Sequence, residues 1–212
     1  MIEHEPGFWG NGLRHCVIFG TGSDIAKEIA KRLEKDGWTV SGTNRHSRVA
    51  PTERWDLLIV AQGTMEPIGK FFSTDDDAFR EAVAVNALEP LSLLRAVWPN
   101  RKYGAKVIFI GGPNLAKVTP TYTAYRASKA LIASMVETLN VEYPANKFVL
   151  FNPGVVKTKI HWQSVAAGSN SANHDRAKAI LEGEEPTVSH DEVYTRLMAS
   201  VGVMPFPENE GT

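Results

Sequence analysis

A tyrosine and a lysine four residues apart are the first candidates for chemistry in this chain. Thr121–Leu131 reads TYTAYRASKAL and holds Tyr125 and Lys129. In a helix these side chains share a face, with Cβ atoms about 5–6 Å apart. A free phenol, with a pKa near ~10, is a poor proton carrier at neutral pH. An ammonium at ~4 Å is worth ~4 kcal/mol at an effective dielectric of 20. That is enough to lower the phenol by up to roughly three pKa units. The same spacing also suits an ordinary surface pair, so position must decide. Asn86 is the next candidate. It lies in AVNALEPLSLL, and Pro90 four residues later has no N–H for its carbonyl. The pattern predicts a kinked helix with an open carbonyl at residue 86, a place for an ordered water.

The elements that position these residues come from two alternating patterns. Short β-branched runs at His15–Gly20, Trp38–Thr43, Asp56–Ala61, Lys106–Ile110 and Lys147–Phe151 lack polar alternation. This suits parallel strands buried on both faces. Ile25, Ala26, Ile29, Ala30 and Leu33 form a helical stripe, with Ser23 or Asp24 as N-cap and Gly37 as stop. A second helix, capped by Asp75–Asp77, runs toward Trp98, and a third spans Ala124–Glu142 and ends before Pro144. A further helix is predicted over Asp191–Val201. Only ten residues separate Arg45 from Asp56, too few for a crossover helix plus another strand. The expectation is a single α/β domain: a Rossmann-like, doubly wound parallel sheet of about five strands, order 2-1-3-4-5 along the chain, with helices on both faces. Its boundaries are predicted as an extension at 1–13, the domain at 14–204 and a tail at 205–212. Tyr125 and Lys129 then open the helix after the fourth strand, beside the carboxyl ends of the strands, where such sheets bind ligands.

His15–Leu33 (HCVIFGTGSDIAKEIAKRL) reads as strand, glycine turn and helix. A helix N-terminus offers unpaired N–H groups and a positive dipole end, and Gly20 and Gly22 let a pyrophosphate approach the backbone. The second strand ends in Thr43-Asn44-Arg45. An acidic residue there suits NAD, whereas an Arg accommodates the extra phosphate of NADP, so NADP is favoured. With a nicotinamide in the cleft, Tyr125 can protonate a carbonyl oxygen as hydride arrives.

Taken together, these residues resemble the short-chain dehydrogenases/reductases over roughly residues 14–160. Gly20-Thr21-Gly22-Ser23-Asp24-Ile25-Ala26 corresponds to the TGxxxGxG loop, with Asp24 and Ala26 where the second and third glycines usually stand. Val60-Ala61-Gln62-Gly63 takes the place of NNAG, Asn86 that of the family's Asn, and Tyr125 to Lys129 that of YxxxK. Asn152-Pro153-Gly154 with Thr158 corresponds to the PG…T segment. The resemblance implies that Gly20, Thr21, Gly22, Ser23 and Ile25 line the pyrophosphate, and that Asn44 and Arg45 hold the adenosine phosphate. Ala61 and Gly63 flank the adenosine side; Pro153, Gly154 and Thr158 flank the nicotinamide. Tyr125 is then the acid, Lys129 its partner and a ribose ligand, and Asn86 the holder of a relay water.

Three departures accompany the resemblance. Gly112 stands where the family places an active-site Ser, whose loss typically costs ~2.7–4 kcal/mol of transition-state stabilisation. Asn114 or Thr123 are candidates to replace it, and dihydropteridine-reductase-like members also lack this Ser. The strand and helix usual after the second strand are missing, as is a Gly-rich final strand. Gly112, Asn114, His161 and Trp162 are the candidates for substrate contact. Residues 159–185 correspond to a substrate lid, with Ala166–Asn173 the most loop-like stretch. Two functions remain open at this point. One is NADPH-dependent reduction of a carbonyl or imine-like group in a small molecule. The other is a catalytically weak or inactive NADP-binding protein. The resemblance implies pairing through the two long helices bearing Asn86 and Tyr125, so a homodimer is expected, with a tetramer possible.

Composition narrows the remainder. Lys and Arg number 23 against 24 Asp and Glu, a net charge of −1, which argues against nucleic-acid binding by bulk charge. One Cys excludes an internal disulfide and a Cys-rich zinc site, and His161, His174 and His190 lack ligand spacing, so no metal is expected. No apolar run approaches the roughly 18 residues of a membrane span, and the N-terminus lacks the pattern of a secretory signal. A cytoplasmic protein without membrane or nucleic-acid partners is the expectation.

Overall fold

The computed structural model describes residues 14–44, 51–111 and 118–203. Five parallel strands form one sheet: β1 His15–Phe19, β2 Thr39–Thr43, β3 Trp55–Val60, β4 Arg101–Ile110 and β5 Lys147–Phe151. Their order is β2-β1-β3-β4-β5, as expected. Every residue of β1 and β3 is buried, which explains their unbroken apolar runs.

Side-chain alternation sends the two halves of each strand to different cores. Cys16, Ile18, Leu57, Ile59 and Ile108 pack with α1 (Asp24–Lys35) and α7 (His190–Ser200). Val17, Phe19, Leu58, Val60, Val107 and Phe109 pack on the other face, with Leu94 and Val97 of α3 (Glu89–Val97) and with Ile132 and Val136 of α4 (Thr123–Glu142). This is a Rossmann-like α/β fold wound on both faces. The strand order reverses between β1 and β3, so a crevice opens at their carboxyl ends.

Two elements differ from expectation. The second helix runs without a gap from Asp76 to Val97, and the irregularity expected near Asn86 takes the form of a π turn rather than a simple kink. α2 (Asp76–Val83) passes into a π-helical turn, Ala84–Leu88, before α3 begins. The Glu89 N–H reaches back to the Ala84 carbonyl, a five-residue step. Pro90 supplies the reason, since its missing N–H removes a normal helical bond and the local widening absorbs the defect. β4 also starts five residues earlier than its apolar run, at Arg101. The segment RKYGA is too polar to read as strand, yet Arg101 pairs with Trp55 across a register shift. No helix among the described residues is long and apolar enough to cross a membrane.

Candidate active site

The glycine turn sits at the crevice. Gly20 has φ +88°, and an added Cβ would lie 2.5 Å from the Gln62 nitrogen, so only glycine lets the β1 and β3 loops meet there. The Gly20 and Thr21 N–H groups both donate to the Thr43 carbonyl. Ser23 caps α1, accepting from the Ala26 N–H at 3.1 Å. Among the described residues, the N–H groups of Gly22, Asp24 and Ile25 have no backbone partner. Three open donors at the start of a twelve-residue helix, with nothing within 4 Å of a Cβ built on Gly22, form a cradle that fits a dinucleotide pyrophosphate.

The loop after β3 is held from three sides. Gln62 Nε2 donates to the Val85 carbonyl in the π turn at 2.9 Å. Asn86, 2% exposed, grips the backbone of Thr64 at both ends: its Oδ1 accepts from the Thr64 N–H at 2.8 Å, and its Nδ2 donates to the Thr64 carbonyl at 2.9 Å. Gln163 from α5 (His161–Ala166) holds the same loop, donating to Thr64 Oγ1 at 3.0 Å and accepting from the Met65 N–H at 2.8 Å. Gly63 is therefore fixed between Asn86 and Lys129. A Cβ on it would lie 3.1 Å from Asn86 Oδ1 and 4.0 Å from Lys129 Nζ.

Lys129 is buried, and its Nζ donates to the Ile110 carbonyl at the end of β4 at 2.9 Å. The same nitrogen lies 5.6 Å from the centre of the Tyr125 ring. Asn86, Gly63, Tyr125 and Lys129 thus converge at the carboxyl ends of β3 and β4. The expected lowering of the phenol is not what this geometry produces. Burial pushes Tyr125 up to about 12 and Lys129 down to about 8. The ammonium lies by the ring and bonds a carbonyl, so loss of solvation outweighs the pair's attraction.

The remaining candidates fall into separate places. Ala61 follows β3, with its N–H on the Phe19 carbonyl, and Asn44 follows β2; both are half-buried. Pro153 is buried, and the Gly154 N–H donates to Asn152 Oδ1. Thr158 accepts the His161 N–H through its carbonyl. His161 turns its Nε2 onto the Val156 carbonyl at 3.0 Å, and burial pulls its pKa down. Trp162, 59% exposed, walls a cavity of about 390 Å³ with Asp24, Lys27, Thr158 and His190. None of Asn86, Tyr125 and Lys129 lines that cavity. Thr123 begins α4 and is exposed. Arg45, Gly112 and Asn114 lie outside the described residues.

Residues 159–185 are more built than their loop-like sequence suggests, since α5, a short 3₁₀ turn and α6 (His174–Glu182) occupy most of them. Tyr122, buried just before α4, fastens this segment. Its hydroxyl shares 2.7 Å hydrogen bonds with Ser164 and Ser171. Tyr122, Gln163 and Thr64 did not stand out in the sequence. Gln163 and its loop partners are 98 and 99 residues apart, beyond any local pattern. Lys159 is a further omission: its N–H donates to Asp24 Oδ2 at 2.6 Å and its Nζ to the Gly22 carbonyl at 2.5 Å. An acid at a glycine position was the available signal that a cation is needed nearby.

The short chain dehydrogenase family model matches residues 47–168, more than half of the chain. An uncharacterised oxidoreductase of Schizosaccharomyces pombe is 30% identical over 104 residues, covering 49% of this chain and 42% of that protein. The matched region thus spans less than half of the relative's length. Among solved structures, a small-chain dehydrogenase in complex with NADPH superposes with a TM-score of 0.75 at 18% identity, covering 90% of this chain and 92% of that one. A short chain dehydrogenase family protein from Francisella tularensis gives 0.70 at 16% identity, covering 88% and 90%. These likenesses carry the fold, and the family match falls on the segment that holds Asn86 and the Gly63 loop: the chain belongs to the short-chain dehydrogenase family.

Proposed function

We propose that this protein reduces a carbonyl or imine-like group of a small molecule with NADPH. The observation that carries the reading is the convergence of Tyr125, Lys129, Asn86 and Gly63 at the end of the crevice headed by the glycine turn. A phenol held up to about 12 stays protonated at neutral pH and serves as the proton donor that reduction requires. Lys129, with a pKa of about 8, is mostly an ammonium at pH 7 and stabilises the phenolate left behind. The Asn86 carbonyl, whose α-helical donor would be the N–H that Pro90 lacks, is the proposed seat of a relay water. The bound nicotinamide supplies the hydride. Gly22, Asp24 and Ile25 offer N–H groups to the pyrophosphate, Thr158 lies toward the nicotinamide, and the segment at 159–185 closes over the substrate.

The test is NADPH oxidation across a panel of ketones, aldehydes and imines. Turnover that depends on Tyr125 supports the proposal. NADPH binding without turnover on any substrate favours a protein that only binds the nucleotide, a reading that Gly112 in place of Ser motivates.

The NADP preference rests on Arg45 at the end of the second strand. Arg45→Ala is expected to lower the NADPH/NADH affinity ratio by about 10-fold or more, as loss of a charge-assisted phosphate contact implies. Paired titrations with the two nucleotides read this, and an unchanged ratio rules out Arg45 as the phosphate clamp.

We also propose a homodimer paired through α2–α3 and α4. Sedimentation equilibrium is expected to give twice the 23.3 kDa chain mass, and a monomer at all concentrations overturns it.

A further inference from the structure

The glycine turn carries a charge that works against its ligand. Asp24 places a carboxylate on the first residue of α1, where the pyrophosphate is to lie. An acid there favours the helix dipole but repels a diphosphate. Lys159 answers it from the segment after β5, 135 residues away in sequence. Its backbone N–H holds Asp24 Oδ2 at 2.6 Å, its Nζ lies 3.6 Å from Asp24 Oδ1, and the same Nζ donates to the Gly22 carbonyl at 2.5 Å. The Lys159 side chain is 61% exposed and that of Asp24 31%. Ion pairs this exposed contribute little to stability. The pair is therefore poorly explained as a fold-stabilising contact, and the Lys159 side chain remains largely exposed beside the turn.

We propose that Lys159 is a ligand of the dinucleotide pyrophosphate. It neutralises Asp24 and donates from Nζ to the diphosphate, standing in for the glycine that this turn lacks. The inference rests on the dinucleotide reading above. When the diphosphate binds, the ammonium exchanges the Gly22 carbonyl for a charged oxygen, a stronger acceptor. The Lys159 N–H keeps its bond to Asp24, so the backbone at residue 159 stays registered on the turn.

The test is a set of binding titrations followed by tryptophan fluorescence, with no turnover required. Lys159→Met is expected to weaken NADPH and ADP-ribose by about 10- to 100-fold, the loss expected for a hydrogen bond to a charged group. Adenosine, which has no diphosphate, is expected to bind equally to both proteins. Lys159→Arg is expected to stay within a few-fold of wild type. Adding Asp24→Asn to Lys159→Met is expected to recover part of the loss by removing the repelling carboxylate. Unchanged NADPH affinity in Lys159→Met overturns the inference and leaves the dinucleotide reading intact. An equal loss for adenosine also overturns it, since the effect would then not follow the diphosphate. Failure of the wild-type protein to bind NADPH or ADP-ribose at all overturns the dinucleotide reading itself.

Discussion

Replacing Tyr125 by Phe is expected to lower the rate of NADPH-dependent reduction by about 10²- to 10⁴-fold while leaving NADPH affinity nearly unchanged. The magnitude is that of a positioned proton donor. The variant keeps the ring that lies beside Lys129 and loses only the hydroxyl, so that ring contact is preserved. Single-turnover mixing of the NADPH complex with substrate separates the chemical step from binding. A Phe variant as fast as wild type would assign the proton to another group. The wild-type profile carries a second expectation. The phenol remains protonated up to about 12, so the alkaline fall in rate comes from Lys129, whose charge is lost as pH rises through about 8.

Lys129→Met is expected to abolish most turnover and, independently, to change how stability depends on pH. The folded pKa of Lys129 is about 8 against an ordinary 10.5, because burial penalises its charge. Between these values the unfolded chain binds the proton and the folded protein does not. Raising the pH through this window therefore stabilises the fold, whereas below about 8 both states are charged and the full penalty is present. From pH 7.5 to 9.5 the wild-type protein should gain about 2 kcal/mol relative to Lys129→Met. Urea unfolding of the two proteins at both pH values measures the difference. Parallel profiles would show that Lys129 titrates in the folded protein much as it does in the unfolded chain.

Both variants concern residues that sequence spacing brought together, and the structure places them close to one another. What spacing did not convey is the environment. An i, i+4 pair on an amphipathic helix is a local fact, whereas solvation of its charges depends on which other segments cover it. The Ile110 carbonyl that receives Lys129 comes from the end of β4, 19 residues earlier in the chain. For that reason the phenol was expected to fall and instead rises. Asn86 shows a similar division. Pro90 signalled that the helix would break its pattern there, but not that the break would take the form of a π turn. Nor did it signal that the Asn86 amide would grip Thr64, 22 residues away. The polar stretch at Ala166–Asn173 read as loop because it lacks an apolar stripe. Its order comes instead from hydroxyls, with Ser171 buried against Tyr122.

By itself, the sequence determined the fold class, the strand order, most helix spans and the Tyr125–Lys129 pair. These follow from short-range rules: apolar runs, 3.6-residue periodicity, caps, and a gap after β2 too short for another crossover. The tertiary structure alone decided the direction of both pKa shifts. It also decided the clamp of Asn86 and Gln163 on the Thr64 loop and the clasp of Lys159 on the glycine turn. Each depends on atoms brought together from distant parts of the chain, where burial and partner geometry set the energy and local pattern carries no record of either.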